Sequence, residues 1–459
     1  MSHRLLPVDS GLISRYTESE FLDLVGYFDP DIVLALDRFK ERQIRELEKL
    51  AGVEVVSVGT DGLRTLEFGS GTVALTSSVD EVRKLKKTGW NGCLSVVADF
   101  IREETDVRTL TTKIKNLDGY LDALEGHHEA VDHHVSELEA GKSYSKNGVE
   151  FHGVGIIDDS EGREVPSVEL GNGLHESLSP EKVGIGAVPG VGRKTRNRLR
   201  RHGISTRREL IESDPHELMS IDGVGPYYAA RFRAGAYAVE NETPAGFGDN
   251  TLVGKDRVYV DIETDSLNPG VIWQIGVYDE RESQYRYFIQ DDDPSDAATP
   301  IREFAEWVAE NARDATFVSW YGRNFDYPHL DSFVEKFCDR KTRDAWLEAE
   351  KTDLLMDVVK KSVAVPARSH KLEVVSERLG YERDKVGLTG GQAAQVYTRW
   401  MHGGEEPDWD DWISYCRDDV VSMEYIYHEI KDAERVADRG KLEKTYRSNV
   451  DPGNYSWDT

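Results

Sequence analysis

The spacing of apolar positions changes several times along this chain, and each change predicts a different element. Residues 17–50 have helical spacing behind Thr17-Glu18-Ser19-Glu20. That tetrad fits a capping box, in which hydroxyl and carboxylate satisfy the first free backbone N–H groups. VEVVSV, LRTLEF and TVALT then read as short strands, with Asp61-Gly62 and Gly69-Ser70-Gly71 as turns. A small helix-plus-meander region follows from this. Leu110, Ile114, Leu117, Leu121, Leu124, Val131, Val135 and Leu138 recur every three or four residues, with one longer step whose seam position holds His128. This predicts a helical hairpin or coiled-coil-like end across 110–138, and with it a surface for a second copy or a protein partner. Gly119 and Gly126 weaken a continuous helix, and Gly126 marks a break. The spacing of His127, His128, His133 and His134 matches no defined metal site, so they read as a polar seam.

Residues 1–140 are therefore expected to form an α+β region and 141–180, polar and rich in Gly and Ser, a linker. A compact helical segment spans 181–240, a second linker containing ETPAGFGDN spans 241–255, and a third region spans 256–435. That region opens with VYVDIETD, VIWQIGVYD and QYRYFI, three runs that suggest antiparallel strands. In IREFAEWVAENAR, Ile301, Phe304, Ala305 and Val308 share one helical face, and FVSWYG reads as a fourth strand. In NFDYPHLDSFVEKF, Asp326 lies just before Pro328, at a strand-to-helix junction. A last long helix runs through WDDWISYCRDDVVSMEYIYHEI, with Ile413, Cys416, Val420, Met423, Tyr427 and Ile430 as its buried stripe. Residues 436–459 read as a polar tail.

Charge alters this picture in one place. Among 459 residues there are 85 Asp+Glu against 57 Lys+Arg, a formal charge of −28. The average field of such a chain does not attract nucleic acid. The acids are spread along the chain, as expected for a surface kept hydrated in a salt-rich, halophilic cytoplasm; a partner with a basic surface is the alternative. Yet 193–208 carries eight Arg or Lys side chains and no acid. This island lies beside two similar stretches, VPGVGRKTRNRL and IDGVGPYYAARF, each a turn, a Gly-x-Gly and a helix. The glycines permit a tight turn and close backbone approach, and free N–H groups at the helix start suit phosphate. The pair resembles tandem helix-hairpin-helix units, which bind DNA backbone without reading sequence. The resemblance implies contacts from Gly190, Gly192, Arg193, Lys194, Arg196, Arg200, Gly223 and Gly225. Asp222 and Pro226 make the second unit less typical, so it is expected to pack more than it binds. The three cysteines form no C-x-x-C pair, and no run is long and apolar enough for a membrane span, so a cytoplasmic protein without membrane association is expected.

The acids at 261 and 263 raise a second question of chemistry. On a strand they share a face, and like charges there repel unless a cation lies between them. Alone the pair is weak evidence, but Asp326 and a helical Tyr415-x-x-x-Asp419 follow in order. Together DIE, NFDYP and Tyr-x-x-x-Asp resemble the 3′–5′ exonucleases of the RNase H-like superfamily that use four acids and a tyrosine. Proofreading domains of family B DNA polymerases and related stand-alone nucleases belong to that group. The resemblance implies a mixed five-stranded sheet flanked by helices and a two-ion Mg2+ or Mn2+ site. In it Asp261 bridges the ions, Glu263 and Asp419 complete the water-activating side, Asp326 supports the second ion, and Tyr415 orients water. Departures exist: Trp320-Tyr321-Gly322 stands where the family often has Tyr-Asn-Gly, and Asp418 neighbours Asp419. The alternatives are a DNA-binding or assembly protein that uses this fold as a scaffold, and an RNA-directed nuclease with the same site.

Overall fold

The computed structural model describes residues 3–37, 39–57, 63–68, 71–88, 93–106, 111–124, 131–159, 162–171, 173–249, 256–293, 296, 298–384 and 388–449. The chain divides into two compact units, Met1–Gly184 and Ile185–Thr459.

The first unit is built on two six-stranded sheets. One has Arg4–Val8, Ile32–Ala35 and Glu54–Ser57 as parallel neighbours, extended on the other side by Gly162–Glu169. The second contains Gly71–Thr76, Cys93–Ala98, Val131–Glu139 and Val149–Gly155, all parallel, with antiparallel edges Arg64–Phe68 and Ser143–Lys146. Leu5, Ile32, Leu34 and Val56 of one sheet pack on Val73, Leu75, Val97 and Val154 of the other. Helices Glu18–Phe28 and Glu41–Ala51 cover the outer face of the first sheet, and Val79–Thr88 and Leu117–Ala123 that of the second.

Several sequence expectations change here. The capping box of Thr17 and Glu20 is present, but the helix it opens ends at Asp29 in a left-handed conformation before Pro30. Residues 17–50 are thus two helices with a buried strand between them. Glu54–Ser57 and the hairpin of Arg64–Phe68 and Gly71–Thr76 enter different sheets, so they are not one meander. The two glycine turns expected around that hairpin lie largely outside the described residues. The helical hairpin expected across 110–138 is overturned. It is a strand Thr111–Lys115, a short helix Leu117–Ala123 and a central strand Val131–Glu139. That strand is buried on both faces between parallel neighbours, which produces a nearly continuous apolar run that periodicity alone misreads. Leu117, Leu121, Leu124, Val131, Val135 and Leu138 are used in the unit's own core, so the partner seam disappears with the hairpin. His133 and His134 are buried strand residues, with His133 meeting the Tyr120 hydroxyl at 2.8 Å. His127 and His128 lie outside the described residues. The expected linker 141–180 contains five strands, whose inward positions Phe151, Val154, Val165 and Val168 are too sparse to read as a core.

In the second unit, helices Arg193–Arg201, Arg207–Glu212, Pro215–Met219 and Pro226–Asn241 surround Leu199, Leu210, Leu218, Val224 and Phe232. The five-stranded sheet that follows runs in the order Gln284–Ile289, Ile272–Asp279, Arg257–Thr264, Thr316–Ser319, Glu350–Asp353. The first three are antiparallel, and the last two run parallel to Arg257–Thr264. Val258, Val260 and Ile262 face helices Thr299–Asn311 and Asp326–Phe337. Tyr259, on the other face, packs on Val420, Met423 and Ile426 of the long helix Trp409–Ile430. A three-stranded ribbon joins the two parts: Ala245–Gly246 pairs with Val363–Ala364 and with Glu434–Arg435. Its strand Ala245–Gly246 and the buried Phe247 lie where a linker was expected. The polar tail is corrected in its first half: Arg439–Asn449 is a helix, and Leu442 with Ala437 packs into the core of the helical part.

Candidate active site

The central strand Arg257–Thr264 alternates as its sequence requires. Asp261 and Glu263 project toward the long helix, opposite Gly276 and Gln274 of the neighbouring strand. Gly276 matters because a Cβ there would lie 2.5 Å from Cys416 Sγ. Its absence lets the long helix sit directly on the sheet. The Tyr285 hydroxyl then donates to the Ile413 carbonyl at 3.1 Å and helps hold the helix start. That seating brings Tyr415 and Asp419, one helical turn apart, to Asp261 and Glu263. Asp326 is the first residue of its helix and is buried. Its carboxylate accepts the Ser319 hydroxyl at 2.7 Å and is also met by backbone groups of Asp326 and Ile262.

The structure therefore brings together Asp261, Glu263, Asp326, Tyr415 and Asp419 from a strand and two helices. Their electrostatics follow from crowding acids away from water. Burial, then the charges of Asp419 and Asp326, push the carboxyls of Asp261 and Glu263 well above the usual range. Burial raises Asp326 to about 7, against the Ser319 hydroxyl, which favours the ionised form. Burial raises Asp419 to about 6, against the opposing charge of Arg383. Burial and then Asp419 raise Tyr415, so its hydroxyl stays protonated. Ligand atoms of Asp261, Glu263 and Cys416 lie within 4.8 Å of one another. A pole of crowded, buried carboxylates is what a divalent cation relieves, and the donor set fits one. Cys416 is buried, and its thiol is raised well above its ordinary pKa by burial and by Asp261.

Three neighbours complete the surroundings, and of these Arg383 was not revealed by the sequence. Arg383 contacts Asp419 through Nη2 at 2.5 Å, and its side chain is only 5% exposed. The loop that carries it has no periodicity to mark it. Asp418 is buried and accepts the Tyr381 hydroxyl at 3.3 Å. Asp353 accepts main-chain N–H groups of Tyr321, Arg323 and Met356, and so shapes the loop after Ser319. In that loop Trp320 donates its indole N–H to the His370 carbonyl, and exposed Tyr321 holds φ at +65°. Asp265 closes the turn after the strand by accepting from Gly270 and Val271.

The glycine-turn helices are seated separately. Gly190 and Gly223 have φ of +95° and +79°, a conformation that favours glycine. Gly192 and Gly225 begin the following helices, where an added Cβ meets nothing within 4 Å. Arg193, Lys194 and Arg200 are exposed, and Arg196 is half-buried. Arg198 reaches across the surface to pair with Asp222 at 2.8 Å, clamping the second turn. The helix after that turn buries Ala229, Ala230, Phe232, Ala234 and Ala236.

Residues 258–431 match the family model of the RNase_H superfamily, and residues 185–233 match that of the SAM-like helix-hairpin-helix tandem. No curated protein matches the chain. The chain thus combines an RNase H-like, nuclease-type domain with helix-hairpin-helix motifs, and both indicate nucleic-acid binding. Among the described residues no helix is long and apolar enough to cross a membrane.

Proposed function

We propose that this protein is a metal-dependent 3′–5′ exonuclease acting on DNA, with the helix-hairpin-helix segment holding the backbone. The observation that carries this reading is the convergence of Asp261, Glu263, Asp326 and Asp419 with Tyr415 at one pole of the sheet. Asp261, Glu263, Asp326 and Asp419 would hold two Mg2+ or Mn2+ ions. These four side chains offer hard oxygen donors, which suit Mg2+ or Mn2+. When bound, the cations supply charge neutralisation, a more acidic water and help for the departing oxygen. Tyr415, held in its protonated form, orients the attacking water and does not take its proton. Water oxygen bonds to phosphorus and gives up a proton to solvent, the P–O3′ bond breaks, and the departing 3′ oxygen takes up a proton from solvent.

End-labelled single- and double-stranded DNA and RNA, incubated with Mg2+ or Mn2+ against EDTA in molar KCl, test this. Wild type should shorten DNA from its 3′ end, and Asp261→Ala or Asp419→Ala should lose at least about a hundredfold in rate. Unchanged cleavage in either variant would overturn the assignment. Trp320 and Tyr321, standing where the resembling nucleases often carry Tyr-Asn, favour a second reading as a DNA-binding scaffold. DNA binding without degradation by any divalent ion would select it.

A further inference from the structure

Beside the candidate site lies a buried guanidinium, that of Arg383. Its loop is tied to the long helix on either side. The Tyr381 hydroxyl donates to Asp418, and Asp384 pairs with Arg417. Between these ties the Arg383 side chain runs inward, only 5% exposed, and Nη2 bonds Asp419 Oδ1 at 2.5 Å. Its Cζ lies 5.8 Å from the centre of the Tyr415 ring. Nη1 is buried and has no hydrogen-bond partner among the described residues. An arginine that served only to neutralise a carboxylate would use its planar fork for two parallel bonds. Leaving a buried N–H unpaired is unfavourable unless an acceptor arrives at some stage of the working cycle.

The surroundings limit what that acceptor can be. Arg383 is close enough to lower the pKa values of Asp261, Glu263 and Asp419 through its charge. An acceptor that reaches Nη1 enters beside these carboxylates, and the anionic oxygens of a phosphate suit a guanidinium there. We infer that Arg383 is a phosphate-binding residue of this site. Nη1 donates to a non-bridging oxygen of the terminal phosphodiester, and of the released nucleoside 5′-monophosphate, while Nη2 stays on Asp419. This deepens the nuclease reading and rests on it. A fixed N–H aimed at a phosphoryl oxygen also gains strength as charge develops there during reaction. Arg383 itself makes and breaks no covalent bond.

The test separates phosphate binding from the placing of Asp419. Binding of deoxythymidine 5′-monophosphate to the full chain is measured calorimetrically in Ca2+. Mn2+ binding without nucleotide is measured separately by electron paramagnetic resonance. Arg383→Gln should weaken nucleotide binding by about tenfold or more, the usual scale of a charged hydrogen bond, and change Mn2+ affinity far less. Arg383→Lys should recover only part of the nucleotide affinity, because it keeps the charge and loses the fork. If Arg383→Gln does not fold, the Lys variant carries the test, and full wild-type affinity there overturns the role. Nucleotide affinity that is unchanged, or that falls only in step with Mn2+ affinity, also overturns it, and leaves the nuclease reading standing. If the wild type takes up no nucleotide and Asp261→Ala changes no hydrolysis, both readings fall.

Discussion

Asp326 at about 7 and Asp419 at about 6 stand above the value near 4 of an unfolded aspartate. Between those values the folded chain holds protons that the unfolded chain has already lost. Stability is therefore greatest below pH 4 on this account and falls as pH rises through 6 and 7. In EDTA the melting temperature should drop between pH 5 and pH 8, and Asp326→Asn should flatten part of the drop. Mg2+ should stabilise more at pH 8 than at pH 5, because the ligands must be ionised to bind it. Thermal melts across that range check both signs, and a melting temperature that rises in EDTA would contradict the account. Asp261 and Glu263 were legible as a pair because a strand repeats every two residues. Arg383 was not, because nothing local distinguishes a buried loop arginine from a solvated one. Cys416 was read correctly as buried, but its approach to Asp261 depends on Gly276 in another strand.

At the level of elements, periodicity served where one face of a helix or strand meets a core. It read the long helix, whose Cys416, Val420, Met423, Tyr427 and Ile430 are buried. It failed over 131–139, where both faces are covered and the helical and strand patterns overlap. The glycine-turn helices were legible because a positive φ at Gly190 and Gly223 leaves a compositional mark. Their roles differ by burial: Arg193–Arg201 exposes its cations, and Pro226–Asn241 is largely core. Replacing Arg193, Lys194 and Arg200 together by Gln should weaken DNA binding and reduce its dependence on salt. If each contacts one phosphate, the slope of log affinity against log salt should shrink by about 3. A salt titration of binding checks this, and an unchanged slope would place the phosphates elsewhere.

At the scale of the second unit, the helical part and the sheet share structure at a distance in sequence. Ala245–Gly246 is sandwiched between segments more than a hundred residues later, and Leu442 closes the helical core from the end of the chain. The unit should consequently unfold as one. Leu442→Ala should cost about 2 kcal/mol, the low end for a buried leucine. It should also shift the main tryptophan fluorescence transition, because seven of the nine tryptophans, at 273, 307, 320, 346, 400, 409 and 412, lie in the sheet part. A separate, unshifted transition for those tryptophans would mean that the two parts melt independently. From the sequence alone came the acid pair, the Tyr415–Asp419 spacing, the first four strands of the sheet with three of its helices, and the glycine turns. Each of these is a local consequence of backbone geometry. The four layers of the first unit, the use of 141–180 and 439–449 as core, and the meeting of Arg383 with Asp419 were decided only by tertiary structure. Those depend on which distant surfaces exclude water from one another, and a short window of sequence does not carry that information.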